Sequence, residues 1–219
     1  MKKFFLIGFI LFALFLVMGC GNCYGQETTT FHQKGWLGVG IGMYNGSEET
    51  MKDIYGTMTR FRVSGCRDFS KNFRLDIGMA YQKKDGQPYE FYYGDVQNFE
   101  SSSEISMLQS EFVAKYAHRG TSADFFVGGG LVFISFKESI EISAVINGQY
   151  MSASDEVSKS AVGLIFVLGV DFPVNQARTT VLYAELSGRS AKIEGALGNE
   201  VDIGGGVLEV GVRFNTFKK

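Results

Sequence analysis

From residue 36 onward the chain alternates apolar and polar positions with a period of two, and the pattern recurs to its end. That is the signature of β-strands with one face apolar and the other polar. Eight such segments stand out, over about 36–44, 58–69, 73–83, 104–117, 124–137, 158–172, 179–189 and 205–217. In the first, Leu37, Val39, Ile41 and Met43 alternate with Gly38, Gly40 and Gly42; in the last, Leu208, Val210, Val212 and Phe214 alternate with Glu209, Gly211, Arg213 and Asn215. The fifth is ambiguous, because Val132 and Ile134 share a face with Gly128 and Gly130. Helix is the weaker reading throughout: no segment sustains a 3.6-residue period, and each internal Gly would cost a helix about 1 kcal/mol.

The connections alternate in length. Strands 2–3, 4–5 and 6–7 are joined by tight polar turns at 70–72, 118–123 and 173–178, whereas the segments 45–57, 85–103, 138–157 and 190–203 are long. All tight turns therefore fall at one end, with both chain termini, and all long loops at the other. The fold this predicts is all-β: an eight-stranded antiparallel up-and-down transmembrane β-barrel with short periplasmic turns and long extracellular loops. Alternation alone also fits a soluble lipocalin-like ligand-binding barrel, whose apolar face points inward. The membrane reading is favoured by strands long enough for the about 9–11 residues a tilted strand needs to cross. It is also favoured by aromatics on the apolar face near the short-turn end: Phe69, Phe73, Tyr116, Phe125, Phe172 and Phe214. Arg67 is a misfit on that face, close enough to a turn to reach the interface.

The N-terminus reads as an address. Lys2 and Lys3 precede a nearly unbroken apolar run over 4–18, and small residues follow at Gly19, Gly21 and Gly25. This is a secretory signal peptide over 1–25, followed by a short lead over 26–35 and the barrel over 36–219. Lipidation at Cys20 is the competing reading, from the segment Val17-Met18-Gly19-Cys20. Cleavage after Gly25 removes Cys20 and Cys23 and leaves Cys66 alone, which excludes a disulfide scaffold.

Composition narrows the function classes. Of 219 residues 14% are aromatic, which excludes a disordered chain, and the formal net charge of −2 gives no basic footprint, so no nucleic-acid partner is expected. Two His and three Cys leave little for a metal site, and no metal or cofactor is expected. His32 and His118 lie away from convergent Ser and acid residues, and no nucleophile elbow or phosphate loop is present, so the reading is not an enzyme.

The polar face of the strands carries Arg60, Arg62, Arg74, Lys115, Arg189 and Arg213 against Asp68, Asp76, Glu111, Asp171, Glu185 and Glu209. An eight-stranded interior is just wide enough for side chains to fill, so these charges are expected to pair into a salt-bridge plug. A narrow ion or small-solute channel is the alternative. The four long segments hold 14 acidic residues against Lys52 and Lys192. Tyr89, Phe91, Tyr92, Tyr93 and Phe99 cluster in one of them, which marks the loops as candidates for binding divalent cations or an extracellular protein partner.

The signal peptide, the Gly-aromatic strands and the eight-strand loop rhythm resemble the small outer-membrane β-barrel family, the OmpX/OmpA-like porin-family domains of Gram-negative bacteria. The resemblance covers the whole mature chain and rests on patterns, not on diagnostic residues. The closing segment 210–217 resembles the terminal strand read by the barrel-insertion machinery, although this chain continues past Phe217 to Lys218 and Lys219. The resemblance implies an outer-membrane location, contact with outer-membrane lipid and lipopolysaccharide, and a structural or surface-interaction role.

Overall fold

A computed structural model describes residues 34–87, 97–146, 149–175, 177–194 and 200–216. The signal segment and most of the lead lie outside the described residues, as do Tyr89, Phe91, Tyr92 and Tyr93.

The strands are β1 (Gly35–Gly46), β2 (Thr57–Asp68), β3 (Phe73–Asp85), β4 (Gln97–Arg119), β5 (Asp124–Ile146), β6 (Gln149–Pro173), β7 (Thr180–Ser190), β8 (Lys192–Glu194), β9 (Glu200–Asp202) and β10 (Gly205–Asn215). Eight of them close into a barrel in the order β1-β10-β7-β6-β5-β4-β3-β2, every pair antiparallel. Closure comes from β1 on β10, in register from Trp36 opposite Asn215 to Gly46 opposite Gly205. Within the ring each strand is paired on both sides, which is how an up-and-down sheet removes its unpaired backbone groups.

The tight turns have local causes. The Ser70 hydroxyl accepts from the Asn72 and Phe73 amides at 3.3 and 3.0 Å, and the Gly120 amide donates to the Ala123 carbonyl at 3.1 Å. Between β6 and β7, Arg178 adopts a left-handed φ of 50°. Its side chain holds that conformation by donating to Asp124 and to the carbonyls of Gly120 and Thr121.

The long-loop end departs from the sequence expectation in three ways. First, β4, β5 and β6 have 23, 23 and 25 residues, so 138–157 is mostly a β-hairpin and not a loop. The β4–β5–β6 sheet continues past the last β3–β4 pair, Asp85 opposite Glu104, by the seven residues 97–103, about 24 Å at strand rise. The pattern failed here because residues 149–156 are all exposed, so neither face demands apolar side chains. Second, 45–57 holds a short helix, α1 (Glu49–Tyr55), where no helix was expected. Seven residues are too few to show a period or to be stable alone; Met51 and Tyr55, four apart, anchor the helix by burial in the barrel's upper core. Gly56 ends it at φ 59°, its amide donating to the Lys52 carbonyl at 2.8 Å. Third, β8 and β9 form a small hairpin within 190–203.

Candidate functional site

The pleat decides which residues enter the barrel. The apolar members of β1 point out: Val39, Ile41 and Met43 are 53%, 49% and 61% exposed. So do Phe61 and Val63 on β2, Val162 to Leu168 at every second residue on β6, and Leu208 and Val210 on β10. The six aromatics Phe69, Phe73, Tyr116, Phe125, Phe172 and Phe214 are all exposed near the short-turn end. Arg67 shares this end, its guanidinium 5.5 Å from the Phe69 ring centroid. In a soluble ligand-binding barrel the apolar face would line a cavity; here it forms the outer wall.

The polar face turns inward, and all twelve charges expected there are buried. They form one chain of contacts along the lumen. Toward the long-loop end, Glu111 lies 2.5 Å from Arg60, 2.6 Å from Arg189 and 2.9 Å from Arg62. Glu209 pairs with Arg60 and accepts from the Tyr183 hydroxyl at 2.7 Å. At mid-height Asp76 accepts from Arg62 at 2.9 Å and from Lys115 at 2.8 Å, and Lys115 also reaches Glu185 at 2.6 Å. Below, Asp171 pairs with Arg213 and, at 2.6 Å, with Arg74, which donates at 2.7 Å to Asp68. Each carboxylate therefore faces at least two cations, the condition under which a charge can sit in a low-dielectric interior.

Glycines make room for these side chains. A Cβ on Gly40 would lie 2.1 Å from the Tyr183 hydroxyl, and one on Gly78 would lie 2.6 Å from Arg62 Nε. Gly78 is therefore space that Arg62 occupies, and Gly40 space that Tyr183 and Glu209 occupy.

Other members of the site were not singled out from the sequence. Tyr183 and Phe126 stack on the cations: Arg213 lies 3.9 Å from the Tyr183 ring centroid, and the Lys115 ammonium 4.6 Å from that of Phe126. At the short-turn end Trp36 donates to Asp68 at 3.2 Å, while Arg119 bridges Asp68 at 2.7 Å and Asp124 at 2.9 Å. Arg119 continues the inward parity of β4 from Lys115, just past the predicted strand end, and Asp124 lies opposite Asp171 in the β5–β6 register, a cross-strand relationship that the sequence pattern does not carry.

The interior is not charged throughout. Its long-loop end is largely apolar, built from Tyr44, Met58, Ile105, Met107, Ile134, Phe136, Val167 and Val207 and capped by Met51 and Tyr55 of α1, with Gln82, which donates to the Met107 sulfur, and Gln109 buried beside them. The Tyr55 hydroxyl donates to Glu138 at 2.6 Å and ties the helix to β5. These inward apolar positions explain the ambiguous fifth segment. Of the loop candidates, the Phe99 backbone lies in β4, and its side chain is outside the described residues. Among the described residues no group of three or more His, Cys, Asp or Glu side chains is placed to hold a metal.

No protein-family model matches this chain, and no curated protein matches it. Among solved structures it is similar to Neisserial surface protein A, with 14% identity and a TM-score of 0.50, over 82% of this chain and 96% of that one. It is also similar to the outer membrane protein OprG from Pseudomonas aeruginosa, with 12% identity and a TM-score of 0.54, over 84% and 97%. The likeness is one of fold: the chain has the eight-stranded architecture of the small outer-membrane β-barrel proteins, the OmpX/OmpA-like kind.

Proposed function

We propose that this protein spans the outer membrane of a Gram-negative bacterium, after signal-peptide cleavage, as a structural barrel and surface-interaction module, not as a pore or an enzyme. One observation carries the reading: a continuous outer belt of exposed apolar side chains surrounds a lumen crossed by a paired charge network. Exposed apolar surface of this extent is costly in water and is satisfied by lipid. Lipid and lipopolysaccharide would pack on the belt, and the insertion machinery would read the terminal strand β10. Two seals support a closed lumen, the salt-bridge layer and the apolar layer under α1. The projecting β4–β5–β6 sheet and the acidic, Tyr-rich long-loop end support an extracellular partner.

Conductance across a planar bilayer tests the closed lumen. Reconstituted protein is expected to give no resolved current steps in molar salt. Reproducible steps of uniform size would replace this reading with the narrow-channel one.

A further inference from the structure

The short-turn end of the barrel is hollowed into an open cup of about 280 Å³, near the lower size of small-molecule sites. Its lining takes in the bottom of the charge network, Asp68, Arg74 and Asp171, and three apolar side chains, Trp36, Pro173 and Val181. The three carboxylates in its lining are already engaged. Asp68 is held by Arg74, Arg119 and Trp36, Asp171 by Arg74 and Arg213, and Asp124 by Arg119 and Arg178. Lys34 and Lys71 also line the cup, and neither ammonium has a carboxylate partner among the described residues. The lining thus has five cations against three satisfied anions; half-buried Lys34, its ammonium 6.0 Å from the Trp36 ring centroid, and exposed Lys71 are the two without a carboxylate. Arg119 is held on three sides, by Asp68, by Asp124 and by the Lys71 carbonyl at 3.3 Å, so much of the wall is ordered before anything binds.

We infer that this cup binds a short acidic peptide, with a side-chain carboxylate between Lys34 and Lys71 and an aliphatic segment against Trp36, Pro173 and Val181. A bare inorganic anion would use the ammonium groups and leave the apolar side chains wet, so the observations favour the peptide. Under the membrane reading proposed above, the cup faces the periplasm. The binding itself does not depend on insertion, and a folded barrel in detergent suffices to test it.

The chain contains a single Trp, and that Trp is in the cup, so its fluorescence reports this site alone. The folded mature protein in detergent micelles is titrated with acetyl-Ala-Glu-Ala, with acetyl-Ala-Lys-Ala and with inorganic phosphate. The expected result is a saturable change with the glutamate peptide, half-complete at or below about 1 mM. Lys34→Ala/Lys71→Ala is expected to weaken it at least about tenfold, the loss of about 1.4 kcal/mol, while the protein remains folded by its gel mobility. No saturable change overturns the inference. So does an equal response to the lysine peptide, a response to phosphate alone, or binding that survives the double substitution. Both lysines lie outside the buried network, so the variant tests binding and not folding.

Discussion

The guanidinium of Arg213 lies 3.9 Å from the centroid of the Tyr183 ring, and the hydroxyl of that same Tyr183 donates to Glu209 at 2.7 Å. One aromatic residue thus couples the lower cation–carboxylate group to the upper one. Removing Arg213 strips a cation from Asp171 and Glu185 together. Arg213→Leu is expected to destabilise the barrel by about 3–5 kcal/mol, the range for breaking a buried charge pair. Tyr183→Phe keeps the ring and loses one hydrogen bond to a carboxylate, an expected cost of about 1.5–3 kcal/mol. Urea unfolding in detergent, followed by gel mobility, measures both. Wild-type midpoints for both variants would remove the idea that the interior charges hold the barrel together.

Gly40 and Gly188 separate the need for space from the need for flexibility. A Cβ at Gly40 meets the Tyr183 hydroxyl at 2.1 Å, whereas one at Gly188 meets nothing within 4 Å. Gly40→Ala is expected to cost about 1–3 kcal/mol by overpacking. Gly188→Ala is expected to stay within about 0.5 kcal/mol of wild type. The same unfolding assay ranks them, and equal midpoints would show that the lumen adapts.

Helix α1 is held at its C-terminal end, by Tyr55 on Glu138 and by Gly56 at φ 59°. A side chain at Gly56 would be strained by about 1–3 kcal/mol. Gly56→Ala is expected to speed proteolysis within 47–57 while leaving the barrel's unfolding midpoint unchanged. Protection equal to wild type would mean that packing of Met51 and Tyr55 fixes the segment without the glycine.

Leu168 and Met151 are both exposed residues of β6, but Leu168 lies within the apolar belt and Met151 on the projecting hairpin. Leu168→Arg is expected to cost about 2–4 kcal/mol of stability in lipid bilayers, the price of an Arg near the midplane. Met151→Arg is expected to cost almost nothing. Refolding into vesicles across a urea series measures the difference; equal effects would place both residues in water.

The sequence made the barrel legible because every strand in the ring has one face in the interior and one on the outer wall. Leu37 to Met43 and Leu208 to Phe214 could be assigned by parity alone, and the inward charges followed from the same parity. The pattern faded wherever that contrast disappeared. Val132 and Ile134 point inward yet are apolar, because the long-loop end of the lumen is a largely apolar core. Residues 149–156 are exposed on both faces and carry no alternation, so the hairpin read as a loop. Met51 and Tyr55 are only two anchors in a seven-residue helix, too few to form a periodic signal. The cup is a product of three-dimensional closure: Lys34, Lys71, Asp124 and Pro173 come from four places in the chain and meet only when β1 closes on β10.

The membrane barrel is the central claim, and one measurement reaches it most directly: the protein from fractionated cell envelopes, run on a gel boiled and unboiled. The protein is expected in the outer-membrane fraction, with an unboiled band of different mobility that converts to the unfolded position on heating. A soluble periplasmic protein with no heat-dependent shift would contradict it, and would leave the exposed belt of Val39, Ile41, Phe61 and Leu168 needing a protein partner in place of lipid.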